Sequence, residues 1–171
     1  DVINEAFRVV RTNLEFVIGK EEGSKVIMVT SMNPDSGKTF VISNLAASFA
    51  IKKKKTVIVD LDLRKATLSS YVGNIKTGVS NYLADKDVSL FSIIFKDKSI
   101  LDLDIIPVGT IPPNPAELLF SERLGQLLSE LKQKYDYIFI DCPPVEVVAD
   151  TSIIGRHADY TLFVARAGLL D

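Results

Sequence analysis

The stretch Val26-Ile27-Met28-Val29-Thr30-Ser31-Met32-Asn33-Pro34-Asp35-Ser36-Gly37-Lys38-Thr39-Phe40 constrains this chain more than any other. An apolar, β-branched run feeds a turn-rich loop. The loop closes on Gly-Lys-Thr just before a helical pattern of Val41, Ile42, Leu45, Ala46 and Phe49. Strand, loop, Gly-Lys-Thr and helix, in that order, make a phosphate-binding layout. Loop N–H groups wrap phosphate oxygens, the lysine reaches the β/γ-phosphates, and the threonine hydroxyl ligates Mg²⁺. The full motif carries a glycine where this chain has Met32, so later segments have to decide the reading.

Apolar β-rich runs alternate with amphipathic patterns along the rest of the chain. Strands are predicted at Lys25–Thr30, Thr56–Asp60, Leu103–Pro107, Tyr137–Asp141 and Tyr160–Ala165. Helices are predicted at Val2–Ile18, Lys38–Ala50, Val79–Ala84, Val88–Phe95, Pro115–Lys134 and Asp150–His157. The strands are apolar throughout rather than alternating, which implies burial on both faces in a parallel sheet. The fold class is therefore α/β, a doubly wound, mostly parallel sheet with helices on both faces. Ligands of such sheets bind at the carboxyl ends of the strands.

A length of 171 residues suits a single domain with a substantial core. The net charge of −2 gives no pointer to nucleic acid. Cys142 is the only cysteine, so no intramolecular disulfide can form. No apolar run approaches the ~20 residues needed to span a bilayer. The chain does not open on Met and stops just after a strand-like segment, so it reads as a soluble piece of a longer protein.

Two further segments end apolar strands in aspartate. Val57-Ile58-Val59-Asp60-Leu61-Asp62-Leu63-Arg64 places two carboxylates at one strand end, both able to face one crevice. Tyr137-Ile138-Phe139-Ile140-Asp141-Cys142-Pro143-Pro144 has the form of a segment whose aspartate holds Mg²⁺ directly or through water. Mg²⁺ keeps several waters, so Thr39 with two or three nearby carboxylates suffices as a ligand set. Together with the loop, these segments imply nucleotide binding, with Asn33, Pro34, Asp35, Ser36, Gly37, Lys38, Thr39 and Phe40 around the phosphates. Asn33 tolerates left-handed backbone and Pro34 stiffens the loop after it, which offers a substitute for the missing glycine turn.

With these residues in hand, the chain resembles the bacterial tyrosine kinases, P-loop enzymes related to the MinD/ParA ATPases and tied to capsule and exopolysaccharide export. Their Walker A loop is similar to Ser36-Gly37-Lys38-Thr39. Their additional acidic motif looks like Val59-Asp60-Leu61-Asp62-Leu63-Arg64-Lys65, and their Walker B like Phe139-Ile140-Asp141-Cys142-Pro143-Pro144. Pro107-Val108-Gly109-Thr110-Ile111-Pro112-Pro113-Asn114-Pro115-Ala116-Glu117-Leu118-Leu119 is similar to their Pro-Pro-Asn-Pro stretch. Glu5-Ala6-Phe7-Arg8-Val9-Val10-Arg11 looks like their Glu-x-x-Arg-x-x-Arg oligomerisation motif. Asn33 stands where the ParA/MinD ATPases carry a second lysine, a departure from those relatives.

The resemblance implies an ATP- and Mg²⁺-dependent protein-tyrosine kinase. Lys38 would bridge the β/γ-oxygens, and Thr39, Asp62 and Asp141 would serve the metal. Asp60 is the expected acceptor of the tyrosine proton, with Asp62 next, and Arg64 a possible contact to substrate or phosphate. By periodicity alone Glu5, Arg8 and Arg11 form a solvated stripe opposite Ile3, Phe7, Val10, Leu14 and Val17. The resemblance instead implies that the stripe docks on a neighbouring subunit of a homo-oligomeric ring. It further implies a tyrosine-rich tail as substrate, a cognate tyrosine phosphatase, and attachment to the inner membrane through fused helices or an adaptor. The five tyrosines of this chain are scattered, so such a tail, with a further helix and strand, would follow Asp171. The rival readings are a ParA/MinD-like ATPase that dimerises on ATP without kinase activity and a non-catalytic interaction module that has kept the fold and lost the chemistry.

Overall fold

Every residue of Lys25–Ser31 (β1) and of Thr56–Asp60 (β2) is buried, as the unbroken apolar runs require of central strands. The structure, a computed structural model, describes residues 2–34, 36–73 and 75–167. Leu103–Ile106 (β4), Tyr137–Asp141 (β5) and Tyr160–Val164 (β6) pair in parallel with these strands, and Phe95–Lys96 (β3) lies antiparallel at one edge. The sheet order is β3-β4-β2-β5-β1-β6. The centre of this mostly parallel sheet is therefore β2-β5-β1, the three strands that lead into the chemical motifs.

Side chains alternate between two cores, as the two-residue period of a strand demands. Ile27 and Val29 of β1, Ile58 of β2 and Phe139 of β5 face Val2–Ile18 (α1) and Lys38–Ile51 (α2). Val26, Met28, Val57, Val59, Ile138 and Ile140 face the other way. There they meet Val79–Ala84 (α4), Pro115–Phe120 (α5), Glu122–Lys132 (α6) and Val148–Gly155 (α7). Register places Asp60 directly beside Asp141 on adjacent strands. Both continue the row that ends on the α2 side of the sheet, so the N-terminus of α2 and both carboxylates converge.

Several boundaries differ from the sequence expectation. The long helix predicted at Pro115–Lys134 is broken at Ser121, whose backbone is extended and whose N–H and hydroxyl both donate to the Leu118 carbonyl. Serine competes for backbone groups in this way and favours the end of a helix. The pattern at Val88–Phe95 resolves into a single 3₁₀ turn, Leu90–Ile93, followed by β3. A four-residue helix, Thr67–Ser70 (α3), follows the acidic motif and is too short to leave a periodic signal. Helix α7 begins at Val148, two residues before the predicted start.

Helix α1 also corrects its expected faces. Leu14 and Ile18 are buried, and Phe7 and Arg11 are half-buried, whereas Val10 and Val17 of the predicted apolar stripe are exposed. Arg11 donates to the Ser48 carbonyl of α2 at 3.1 Å and pairs with Glu15 at 3.2 Å. The buried stripe therefore runs through Arg11 rather than opposite to it.

Candidate functional site

The phosphate-loop layout is set by one backbone choice. Gly37, which precedes α2, has φ +82, a left-handed conformation that costs any side chain but not glycine. A Cβ at Gly37 would meet nothing within 4 Å, so conformation rather than space reserves the position. Within the described loop residues Gly37 alone has positive φ, so Asn33 does not supply the left-handed turn expected of it. Instead the Asn33 carbonyl accepts the Ser36 hydroxyl at 2.8 Å, and Met32 N–H is tied to the Val164 carbonyl of β6. Asp35 lies outside the described residues.

The first intrahelical bond of α2 runs from Val41 N–H to the Gly37 carbonyl. The N–H groups of Lys38, Thr39 and Phe40 precede it at a helix N-terminus, where a phosphate is favoured. They open on a cavity of about 310 Å³ whose walls include Ser36, Gly37, Lys38, Thr39, Asp62 and Pro144. Asn33 is absent from that wall, whereas Pro34 and Phe40 contribute to it. Ser31, Lys65, Thr67 and Tyr71 also line the cavity, and none of the four is among the site residues expected from sequence. Lys65 closes the acidic motif, and Thr67 and Tyr71 bracket the short helix after it, a stretch too irregular for periodicity to register.

Two carboxylates, Asp62 and Asp141, meet one ammonium beneath the cavity. Lys38 Nζ donates to Asp141 Oδ1 and stands 3.9 Å from Asp62 Oδ2. Asp141 is buried, and burial pushes its carboxyl pKa up; the Lys38 charge opposes that and the Asp62 charge adds to it. Asp62 Oδ1 accepts the Lys65 N–H at 3.3 Å, which turns the carboxylate back over its own loop.

Asp60 is placed differently from expectation. Its Oδ1 accepts the Asp62 N–H at 3.1 Å, and its Oδ2 accepts the Ser69 N–H at 3.0 Å and the Ser69 hydroxyl at 2.6 Å. Ser69 in turn accepts Val108 N–H, so Asp60 anchors α3 to the segment after β4. Burial first, then the neighbouring Asp141 charge, pushes its pKa up to about 7. This carboxyl is fully buried and committed to its own chain, and it does not line the crevice. Of the acidic pair, Asp62 is the one presented to a ligand.

Arg64 also departs from expectation. Its Nε and Nη2 grip the two oxygens of Asp150 at 3.0 and 3.2 Å, and it does not line the phosphate cavity. Cys142 is fully buried, and burial pushes its thiol pKa well up, so it is a packing residue at a strand end. His157 has its pKa lowered by burial and by Lys132 and Arg156, which keeps the ring neutral.

The donors present bear on the expected metal in two ways. Among the described residues no three acidic, histidine or cysteine side chains form a cage. Asp141 Oδ2, however, is buried and has no hydrogen-bond partner. An orphan carboxylate oxygen is costly unless a cation or water takes it. Thr39 and Asp62 line the cavity, and Lys38 of the same wall donates to Asp141; this set suits Mg²⁺, which asks for one or two carboxylates and otherwise keeps water and phosphate.

Comparison with known proteins then places the chain. The AAA domain family model matches residues 24–168. Tyrosine-protein kinase wzc of Salmonella typhimurium is 41% identical over 167 residues, 97% of this chain and 23% of that protein. The chain thus spans under a quarter of the length of the curated relatives it matches. The kinase domain of the Escherichia coli tyrosine kinase ETK superposes with a TM-score of 0.88 at 38% identity, covering 98% of this chain and 65% of that domain. The VpsO kinase domain superposes with a TM-score of 0.81 at 31% identity, covering 95% of this chain and 80% of that one. At 24% identity, the septum site-determining protein MinD of Pyrococcus horikoshii, solved with Mg-ADP, shares the fold with a TM-score of 0.63 over 82% of this chain and 57% of that one.

Proposed function

The chain belongs to the AAA domain family and, within it, to the kinase domains of bacterial tyrosine-protein kinases, and from that membership we propose that it transfers the ATP γ-phosphoryl group to tyrosine hydroxyls. The observation that carries the proposal is the convergence of Lys38, Asp62 and the orphan Asp141 Oδ2 below the glycine-closed N-terminus of α2.

Phosphoryl transfer passes through a loose transition state, so positioning and charge neutralisation do most of the work. Backbone N–H groups of Ser36 through Phe40 hold the α/β-phosphates. Lys38, released from Asp141 when phosphate arrives, bridges the β/γ-oxygens. Thr39 and Asp141, with Asp62, would hold Mg²⁺ directly or through waters, and the bound ion would supply neutralisation of the charge that develops on ADP. A free tyrosine has a pKa of about 10, so its attack needs an acceptor for the proton. Asp62 takes that proton, because Asp60 is closed off by Ser69. The tyrosine oxygen bonds to the γ-phosphorus, the bond from that phosphorus to the ADP oxygen breaks, and the carboxylate holds the proton.

The same reading assigns the chain to regulation of capsule or exopolysaccharide polymerisation and export, at the cytoplasmic face of the inner membrane. Among the described residues no helix is long and apolar enough to cross a membrane, so attachment would come from elsewhere in the protein or from an adaptor. The substrate is a tyrosine-rich tail of the same or a neighbouring subunit, and a cognate phosphatase reverses the transfer. Glu5 and Arg8 pair at 3.1 Å on the exposed side of α1 and are the part of the predicted docking stripe available to a neighbour in a ring.

Incubating the full-length protein with ATP and Mg²⁺, then blotting for phosphotyrosine, tests the proposal. Phosphotyrosine that vanishes in Lys38→Met supports it. ATP hydrolysis with no phosphotyrosine overturns it in favour of a ParA/MinD-like ATPase.

A further inference from the structure

Asp150 lies in the first turn of α7, and no part of it is exposed. A carboxylate so buried needs a partner, and its partner is Arg64, 86 residues earlier in the chain. The grip is two-pronged, Nε to Oδ2 and Nη2 to Oδ1, which fixes direction as well as distance. The outer part of the guanidinium stays exposed, its side chain being 46% accessible.

The pair joins the two segments that carry the site's carboxylates. Arg64 stands two residues beyond Asp62, inside a tight turn in which Ala66 N–H returns to the Asp62 carbonyl at 2.9 Å. Ala66 has φ +51, a conformation that costs a residue with a side chain and persists only where its surroundings impose it. Asp150 follows Asp141 through the turn of Cys142, Pro143 and Pro144, which is pinned to β1 by Thr30 and Ser31. Below the site the two segments are tied by Leu61 N–H to the Asp141 carbonyl at 2.9 Å. Above it they are tied by Arg64 and Asp150.

We infer that Asp150 is a positioning residue: by holding Arg64 it fixes the turn of residues 62–66 and sets where the Asp62 carboxylate stands relative to Asp141 and Lys38. Asp150 does not line the phosphate cavity, and acts through Arg64 on the spacing of two carboxylates. This inference rests on the nucleotide half of the proposed function and is independent of whether tyrosine is the acceptor.

The test is the Mg²⁺ dependence of nucleotide binding in the full-length protein, read by fluorescence of a labelled ADP, with and without chelator. The double variant Arg64→Gln/Asp150→Asn removes the ion pair without leaving a buried charge. Its half-saturating Mg²⁺ is expected to rise about tenfold, while affinity for ADP in chelator stays within about twofold of the native protein. Arg64→Lys, which keeps the charge and loses the fork, is expected to fall between the two and reads the same quantity should the double variant not fold. Unchanged Mg²⁺ dependence in whichever variant folds overturns the inference and leaves the pair a structural tie. Native protein that binds no nucleotide overturns the function proposal instead.

Discussion

The ammonium of Lys38, in the first turn of α2, rests on the carboxylate of Asp141 at the end of β5, 103 residues further along the chain. The lysine that would hold phosphate thus holds a buried carboxylate instead, and each neutralises the other. Lys38 is 10% exposed and Asp141 1%, so neither charge is solvated on its own.

Lys38→Met should therefore do two things. It removes charge-assisted bonds of about 1.5–3 kcal/mol each, so affinity for Mg-nucleotide should fall at least ~100-fold, as read by calorimetric titration. It also strands Asp141, whose carboxyl pKa then rises further above its unfolded value. The folded variant binds a proton that the unfolded chain releases, so its stability should decline as pH rises, where Lys38 would otherwise have compensated. Denaturant titrations at pH 6 and pH 8 measure the difference, and a variant equally stable at both would contradict the account.

Asp60 gives the native protein a pH signature of its own. Its pKa of about 7 in the fold lies above the unfolded 3.8. Between those values the native state keeps a proton the unfolded chain has lost. Stability should accordingly fall as pH rises from about 4 to about 7, by up to ~1.4 kcal/mol per unit from this group, and flatten above. In Asp60→Asn that slope should shrink to what Asp141 contributes. A melting temperature independent of pH across the window would remove burial as the cause.

Gly109 should tolerate no side chain. Its φ is +79, and a Cβ there would stand 2.2 Å from Gly78 N and 2.3 Å from Asn81 Oδ1. Asn81 Oδ1 is the acceptor that joins Gly78 N–H to Thr110 N–H, the start of the Pro-Pro-Asn-Pro loop. Gly109→Ala should cost at least ~2 kcal/mol in chemical denaturation, through strain and through the loss of that junction.

The charged residues of α1 should separate into two behaviours. Glu5 and Arg8 are exposed and bonded to each other, so their alanine variants should leave stability within about 0.5 kcal/mol and reduce self-association in sedimentation. Arg11 is bound to α2 through the Ser48 carbonyl. Arg11→Ala should lower stability by about 1–2 kcal/mol even in the monomer. Equal effects of all three on association, with none on stability, would show the stripe acting as one surface.

Much of the fold is legible along the chain because parallel strands buried on both faces must be apolar without alternation. Four of the predicted helices and all five predicted strands stand within two residues of their expected limits. The misses have local causes: α3 is too short for a period, Ser121 diverts backbone bonds, and β3 is a two-residue edge. The Gly-Lys-Thr loop and the aspartates at the ends of β2 and β5 are equally legible, since residue type and strand end together specify them.

Sequence alone determined the kind of site: a glycine-closed loop before a helix, with carboxylates at two strand ends, is enough to point to nucleotide binding. Only the tertiary structure decided which side chains are available to it. Asp60 and Asp62 are two residues apart and alike in sequence, yet one is closed over by Ser69 and the other faces Lys38. Arg11 and Arg64 read as outward contacts, yet Ser48 and Asp150 hold them. Those partners lie 37 and 86 residues away, and a buried polar group takes whichever partner the packing brings to it. That choice is made in three dimensions and leaves no mark at the position itself.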